Sequence, residues 1–129
     1  MAVKVVYKVW LDHHGKAFGD GPCELLKRVE KAGSLRQAAY QMGMSYSKAW
    51  CLIQTLEKKL GFALLERRVG GSSGGSSAVT ARGIELLRHY ERFQKEVKEA
   101  LKSAYERNFG WFPRAGRRNL KGYGKGVPS

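Results

Sequence analysis

SLRQAAYQMGMSYSKAWCLIQTLEKKL, residues 34–60, reads as two short helices joined by a tight turn. Ser34 with Gln37 three positions on makes a capping box, in which the hydroxyl accepts from an otherwise unpaired backbone N–H. Leu35, Ala38, Ala39 and Met42 recur at helical spacing and form one apolar stripe. The small Ala38–Ala39 pair lets a neighbouring helix come close. Gly43 supplies the turn, because it takes positive φ without steric cost. Ser45 then caps a second helix. At 100° per residue, Ala49, Leu52, Ile53 and Leu56 fall on one side. Ser47, Cys51, Gln54 and Lys58 fall opposite, with Tyr46, Lys48 and Trp50 on the flanks. An aliphatic inner face and a hydroxyl- and amide-bearing outer face are the layout of a helix-turn-helix. Its second helix, about residues 45–59, would enter a major groove.

Upstream, Pro22 is favoured at a first helical position and Asp20 suits the positive end of a helix dipole. A helix is therefore expected from Pro22, with Leu25, Leu26, Val29 and Ala32 on its inner face and Gly33 ending it. Residues 3–11 alternate and are rich in Val, Tyr and Trp, which suits a strand. His13-His14-Gly15-Lys16 signals a turn and Ala17-Phe18 a returning strand, so an N-terminal β-hairpin is expected. Asp12, His13 and His14 read as that turn rather than as a metal site, which needs more convergent ligands.

Downstream, Leu60-Gly61 stops the second helix and FALLERR, residues 62–68, suits a short strand. VGGSSGGSSA, residues 69–78, is then a flexible loop between two extended pieces, the form of a wing, and Arg67 and Arg68 directly precede it. Thr80 caps a last helix, about residues 80–107. Leu87, Tyr90, Gln94, Val97, Leu101 and Ala104 are spaced 3, 4, 3, 4, 3, a heptad-like seam. A small domain cannot cover so long a helix, so dimerisation through it is expected; the alternative is a helix folded back on its own domain. Residues 108–129 carry only positive charge and read as a disordered basic tail, with Trp111 and Phe112 pinning its start. The expected fold is mainly α with a small β component. Residues 1–107 form a winged helix-turn-helix domain with its dimerisation helix, and residues 108–129 form the tail.

Lys and Arg number 24 against 11 Asp and Glu, a net charge of +13. Such a surface attracts phosphates. A membrane surface is the other polyanion, but no basic amphipathic helix with a broad apolar face is evident. Lys4 and Lys8 interrupt the apolar N-terminus, so neither a signal peptide nor a membrane span is expected. Cys23 and Cys51 lack CxxC spacing, so no disulfide framework or zinc knuckle is expected, and the chain should be cytoplasmic and nucleoid-associated. A redox role for Cys51 lacks a group to lower its pKa. Trp50 reads as a wedge between helices. Without GxxxxGK[ST], HExxH or a nucleophile elbow, no enzymatic activity is expected.

GSLRQAAYQMGMSYSKAW, ERRVGGSSGG and AVTARG together resemble the N-terminal DNA-binding domain of ModE-type, molybdate-responsive regulators. That domain is itself similar to the winged helix-turn-helix of LysR-type regulators. The resemblance covers about residues 5–104 and implies a sequence-specific transcriptional regulator that binds double-stranded DNA as a homodimer. It would place Ser45, Tyr46, Ser47 and Lys48 at base edges, followed on the same side by Cys51, Gln54 and Lys58. Gln54 suits adenine, Ser47 any base, and Lys48 guanine or a phosphate. Ser34, Arg36 and Gln37 would flank a phosphate at the preceding helix start. Arg67 and Arg68 would reach the backbone or minor groove beside the wing. ModE-type regulators carry molybdate-binding modules after this domain, whereas only the basic tail follows here. The expectation is a stand-alone member with no cofactor and no molybdate or tungstate binding. The competing readings are an architectural protein held on DNA by charge alone, and an adaptor whose long helix binds another protein.

Overall fold

The computed structural model describes residues 3–68, 76–112 and 120–122. Two compact units divide the chain: Trp10–Tyr90, and Met1–Val9 together with Glu91–Ser129.

The larger unit opens with a minimal hairpin, β2 (Leu11–Asp12) against β3 (Lys16–Phe18), preceded in the chain by β1 (Val5–Tyr7) of the other unit. His14 at φ 54° and Gly15 at φ 107° make its turn. The Asp12 carboxylate accepts from the Gly15 N–H at 3.3 Å. Helix α1 (Asp20–Ala32) begins before the expected Pro22, because the Gly19 carbonyl already accepts from the Cys23 N–H at 3.0 Å. Pro22, Cys23, Leu25, Leu26 and Val29 are buried, whereas Ala32, expected on that face, is exposed. Gly33 ends the helix in the left-handed region, φ 72°, as expected.

Helix α2 (Leu35–Gln41) is capped by Ser34, whose Oγ accepts from the Gln37 N–H at 3.0 Å. Gly43 turns the chain at φ 70°. Helix α3 (Tyr46–Leu60) is capped in the same way by Ser45, which accepts from the Lys48 N–H at 3.1 Å. Ala38, Ala39, Ala49 and Ile53 are wholly buried, so small residues on α2 set the close α2–α3 approach that the spacing predicts. At the far end of α3, Lys59 Nζ donates to the carbonyls of His14 and Lys16 at 3.3 and 3.4 Å, tying the hairpin to the helix.

Beyond Gly61 (φ 86°), the Glu57 carboxylate accepts from the N–H groups of Leu64 and Leu65 at 2.7 and 3.2 Å. This steers the chain into β4 (Leu65–Arg68), antiparallel to β5 (Ser76–Val79), with Leu65 opposite Val79 and Arg67 opposite Ser77. These are the two arms of the expected wing; residues 69–75 lie outside the described residues. The Ser77 N–H donates to the Gly33 carbonyl at 3.0 Å, fastening β5 to the end of α1. Thr80 then links wing and last helix: its hydroxyl donates to the Ala63 carbonyl at 2.7 Å and accepts from the Gly83 N–H at 2.9 Å.

Helix α4 (Ala81–Phe109) follows, and the division between the units falls within it. Its first turns complete the larger unit's core. Leu87 is 0% exposed and Tyr90 2%, and the Tyr90 ring stands edge-on to Phe18 with centroids 5.0 Å apart. Leu87 and Tyr90 were expected in a dimer seam. They face the domain's own core instead, because the stripe that suits a partner helix equally suits the helices beneath it. Together these elements make a winged helix-turn-helix, mainly α with small hairpins.

In the other unit, β1 pairs in parallel with β6 (Leu120–Gly122), Val5 opposite Leu120 and Tyr7 opposite Gly122. The Tyr105 hydroxyl donates to the Val3 carbonyl at 3.1 Å. Phe112 stacks on Phe109 at 5.4 Å, and the Trp111 indole N–H donates to the Asn108 carbonyl. Two expectations change here. The 3–11 strand is interrupted, and its first part pairs with β6 rather than across the hairpin. Residues 108–129, expected to be a disordered basic tail pinned at its start, contribute that strand. Alternation shows that a segment suits a sheet but not which distant segment pairs with it. Among the described residues, no helix is long and apolar enough to cross a membrane.

Candidate nucleic-acid interface

Burial of Ala49, Ile53 and Leu56 fixes the roll of α3 and turns its other face outward. Ser45, Ser47, Lys48, Cys51, Gln54 and Lys58 are all exposed, as their spacing predicts. Thr55 is exposed beside them, one helical turn after Cys51. Its place four residues on was legible in the sequence but not singled out. Cys51, Gln54, Thr55 and Lys58 line a cleft together with Phe62 and Ala63. Arg82, at the start of α4, places its guanidinium 4.8 Å from the Phe62 ring and 3.7 Å from the Glu85 carboxylate. Cys51 and Cys23 are free thiols, the first exposed and the second buried.

A second cluster sits where α2, the start of α3 and β4 meet. The Arg36 guanidinium lies 4.2 Å from the Tyr46 ring centroid. Arg67 lies 4.4 Å from the Trp50 ring and 5.9 Å from the Tyr46 ring, and its Nη2 donates to the Tyr46 hydroxyl. Tyr46, expected at base edges, thus has its ring beside one guanidinium and its hydroxyl bonded to another. Trp50 is half-buried and carries Arg67 on its face. The wedge reading of Trp50 missed this contact, because nothing in local spacing says that β4 returns to α3.

The remaining candidates are distributed as follows. Ser34 is half-buried with its Oγ engaged as a cap, and Arg36 and Gln37 are exposed. The Arg68 side chain lies outside the described residues. On α4, Gln94, Val97, Leu101 and Ala104 are half-buried, while Phe93 is 40% exposed. Among the described residues, no group of three or more His, Cys, Asp or Glu is placed to hold a metal ion.

Residues 23–83 match the family model of bacterial regulatory helix-turn-helix proteins of the LysR family. The matched stretch runs from α1 through the start of α4 and includes both clusters. The chain is 36% identical over 76 residues to the transcriptional regulator ModE of Haemophilus influenzae, covering 59% of this chain and 30% of that protein.

Residues 23–83 are thus similar to the LysR-family helix-turn-helix, and the chain is similar to ModE regulators over part of its length.

The DNA-binding transcriptional dual regulator ModE of Escherichia coli is also 36% identical, over 67 residues, covering 52% of this chain and 26% of that protein. The chain thus spans about a third or less of the length of these curated relatives. Among solved structures, the CbnR DNA-binding domain in complex with DNA is similar with a TM-score of 0.48 and 24% identity. That match covers 64% of this chain and 88% of that one.

Proposed function

We propose that this ModE-like domain makes the chain a sequence-specific, DNA-binding transcriptional regulator. The observation that carries this reading is the outward face of α3. A helix anchored by Ala49, Ile53 and Leu56 presents Ser47, Gln54, Thr55 and Lys58 to solvent, and two arginines flank its start. The two ModE relatives are named as transcriptional regulators, and the net charge of +13 suits a polyanionic partner. In this reading α3 lies in the major groove. Ser45, Ser47 and Lys48 meet the first bases and Cys51, Gln54 and Lys58 the next. Ser34, Arg36 and Gln37 lie against one backbone, with Arg67, Arg68 and the 69–78 wing beside them.

A homodimer formed along the later turns of α4, through the half-buried Gln94, Val97, Leu101 and Ala104, would present two copies of α3 to a palindrome. The resemblance lies in the DNA-binding part of longer relatives, so these 129 residues are not expected to bind molybdate or tungstate.

Selection of duplexes from a random pool by the 129-residue chain tests the regulator reading. The expected product is a two-fold consensus with half-sites separated by about one or two helical turns, roughly 10 base pairs each. A pool that enriches without consensus, with affinity set by salt alone, would replace it with the architectural reading.

A further inference from the structure

Arg36 and Arg67 share one aromatic neighbour and, among the described residues, have no acidic one. The Arg36 guanidinium stands over the Tyr46 ring at 4.2 Å and the Arg67 guanidinium over the Trp50 ring at 4.4 Å, with Arg67 reaching Tyr46 at its hydroxyl. Among the described residues, no carboxylate lies within ion-pair distance of either arginine. The adjoining residues 69–75, VGGSSGG, contain no acid. Within residues 10–90 the other arginines with described side chains do have carboxylates: Arg28 pairs with Glu24 and Arg88 with Glu30, each at 2.8 Å, and Arg82 with Glu85 at 3.7 Å.

An aromatic face holds a guanidinium by its ring quadrupole and leaves its charge intact. A ring contact takes up none of a guanidinium's five N–H donors, so all but the one donated to Tyr46 can serve a bidentate acceptor. Two cations held this way repel each other, and a phosphate between them would relieve that repulsion. Holding each guanidinium before binding also removes part of the ordering cost that a free arginine incurs.

We propose that Tyr46 and Trp50 are positioning residues: their rings hold Arg36 and Arg67, un-neutralised, as a ready-made clamp for a DNA backbone phosphate. This rests on the DNA-binding reading above and adds a residue, Trp50, that neither helix spacing nor the relatives' names assign. The clamp also couples the wing to the recognition helix, because Arg67 belongs to β4 and its supports belong to α3.

The test is a double-mutant cycle on the 129-residue chain, with affinity measured by fluorescence anisotropy on a selected duplex and a random duplex across a salt series. Trp50→Leu keeps an apolar side chain but removes the ring face; Trp50→Phe keeps a face. Trp50→Leu is expected to weaken both duplexes alike, by about two- to fivefold. It should also lower the log–log salt slope by up to about 0.9, the value of one neutralised phosphate. Trp50→Phe should stay near wild type. In an Arg67→Ala background, Trp50→Leu should have no further effect. Equal losses for Leu and Phe, independent effects of Trp50 and Arg67, or a loss confined to the selected duplex would each overturn the clamp. If circular dichroism shows Trp50→Leu unfolded, the same cycle is run with Tyr46→Leu, Tyr46→Phe and Arg36→Ala. A wild type that binds both duplexes equally would end the regulator reading while leaving the cycle readable on the random duplex.

Discussion

A methyl group added at position 83 would lie 2.9 Å from the Leu64 carbonyl oxygen and 2.8 Å from Val79 Cγ1. The carbonyl is backbone, engaged by the Thr80 N–H at 2.9 Å, so it cannot swing aside. Gly83→Ala gains up to about 1 kcal/mol of helix propensity. The forced shift costs about 1–3 kcal/mol, so the expected outcome is a lower melting temperature by calorimetry. An unchanged or higher value would mean that α4 can slide away from the wing. Gln54 offers the complementary case, with no core role. Gln54→Ala should leave the melting temperature unchanged, cost about 1–3 kcal/mol on the selected operator and relax base preference at one position. Unaltered discrimination would remove Gln54 from the reading face. Both roles differ in visibility. The exposed side of Gln54 follows from counting along α3, whereas the crowding at Gly83 involves a strand and a carbonyl that only the folded chain brings there.

At the level of elements, local chemistry was a good guide where an element is defined by its own ends. Ser34, Gly33, Gly43, Ser45 and Gly61 mark helix limits, and each occupies the expected cap or turn. Ser45→Ala removes the acceptor for the Lys48 N–H, and should cost about 0.5–2 kcal/mol in denaturant unfolding. Because that cap orients the first turn of α3, DNA affinity should fall further than stability alone explains; a loss of stability with unchanged affinity would separate the two roles. Guidance weakened where an element depends on a partner. The hairpin is only β2 and β3, with a register shift at Leu11/Asp12, and β1 pairs instead with a segment more than a hundred residues away. Alternating residues 3–11 carry the sheet tendency of both strands but no mark of where one ends. Lys59, which ties the hairpin carbonyls to α3, looks in sequence like another solvated lysine.

For the molecule as a whole, the question is what covers α4. Its seam serves two purposes along its length: Leu87 and Tyr90 belong to the domain core, while Val97 and Leu101 are only half-buried. Sedimentation of the 129-residue chain is expected to show a dimer. Leu101→Glu should convert it to a monomer, since burying an unpaired carboxylate in an interface is strongly unfavourable. Its operator affinity should fall while half-site contacts persist. A wild-type monomer at micromolar concentration, or a Leu101→Glu dimer, would send the adaptor reading to the front. Titration with molybdate by calorimetry is expected to give no heat; saturable binding would show that these residues contain an oxyanion site of their own.

Composition and spacing alone determined the two helices of the motif, their serine caps, the sides they bury and the position of a two-armed wing, because each is set by residues within a few places of one another. The outward chemistry of α3 follows from the same local count. Tertiary structure alone decided that Trp50 and Tyr46 carry Arg67, that Leu87 and Tyr90 close the core, and that the N-terminal strand pairs with residues 120–122. Those outcomes depend on chain segments meeting across long loops, where the winning contact is selected by packing and charge together, and no short-range pattern encodes it.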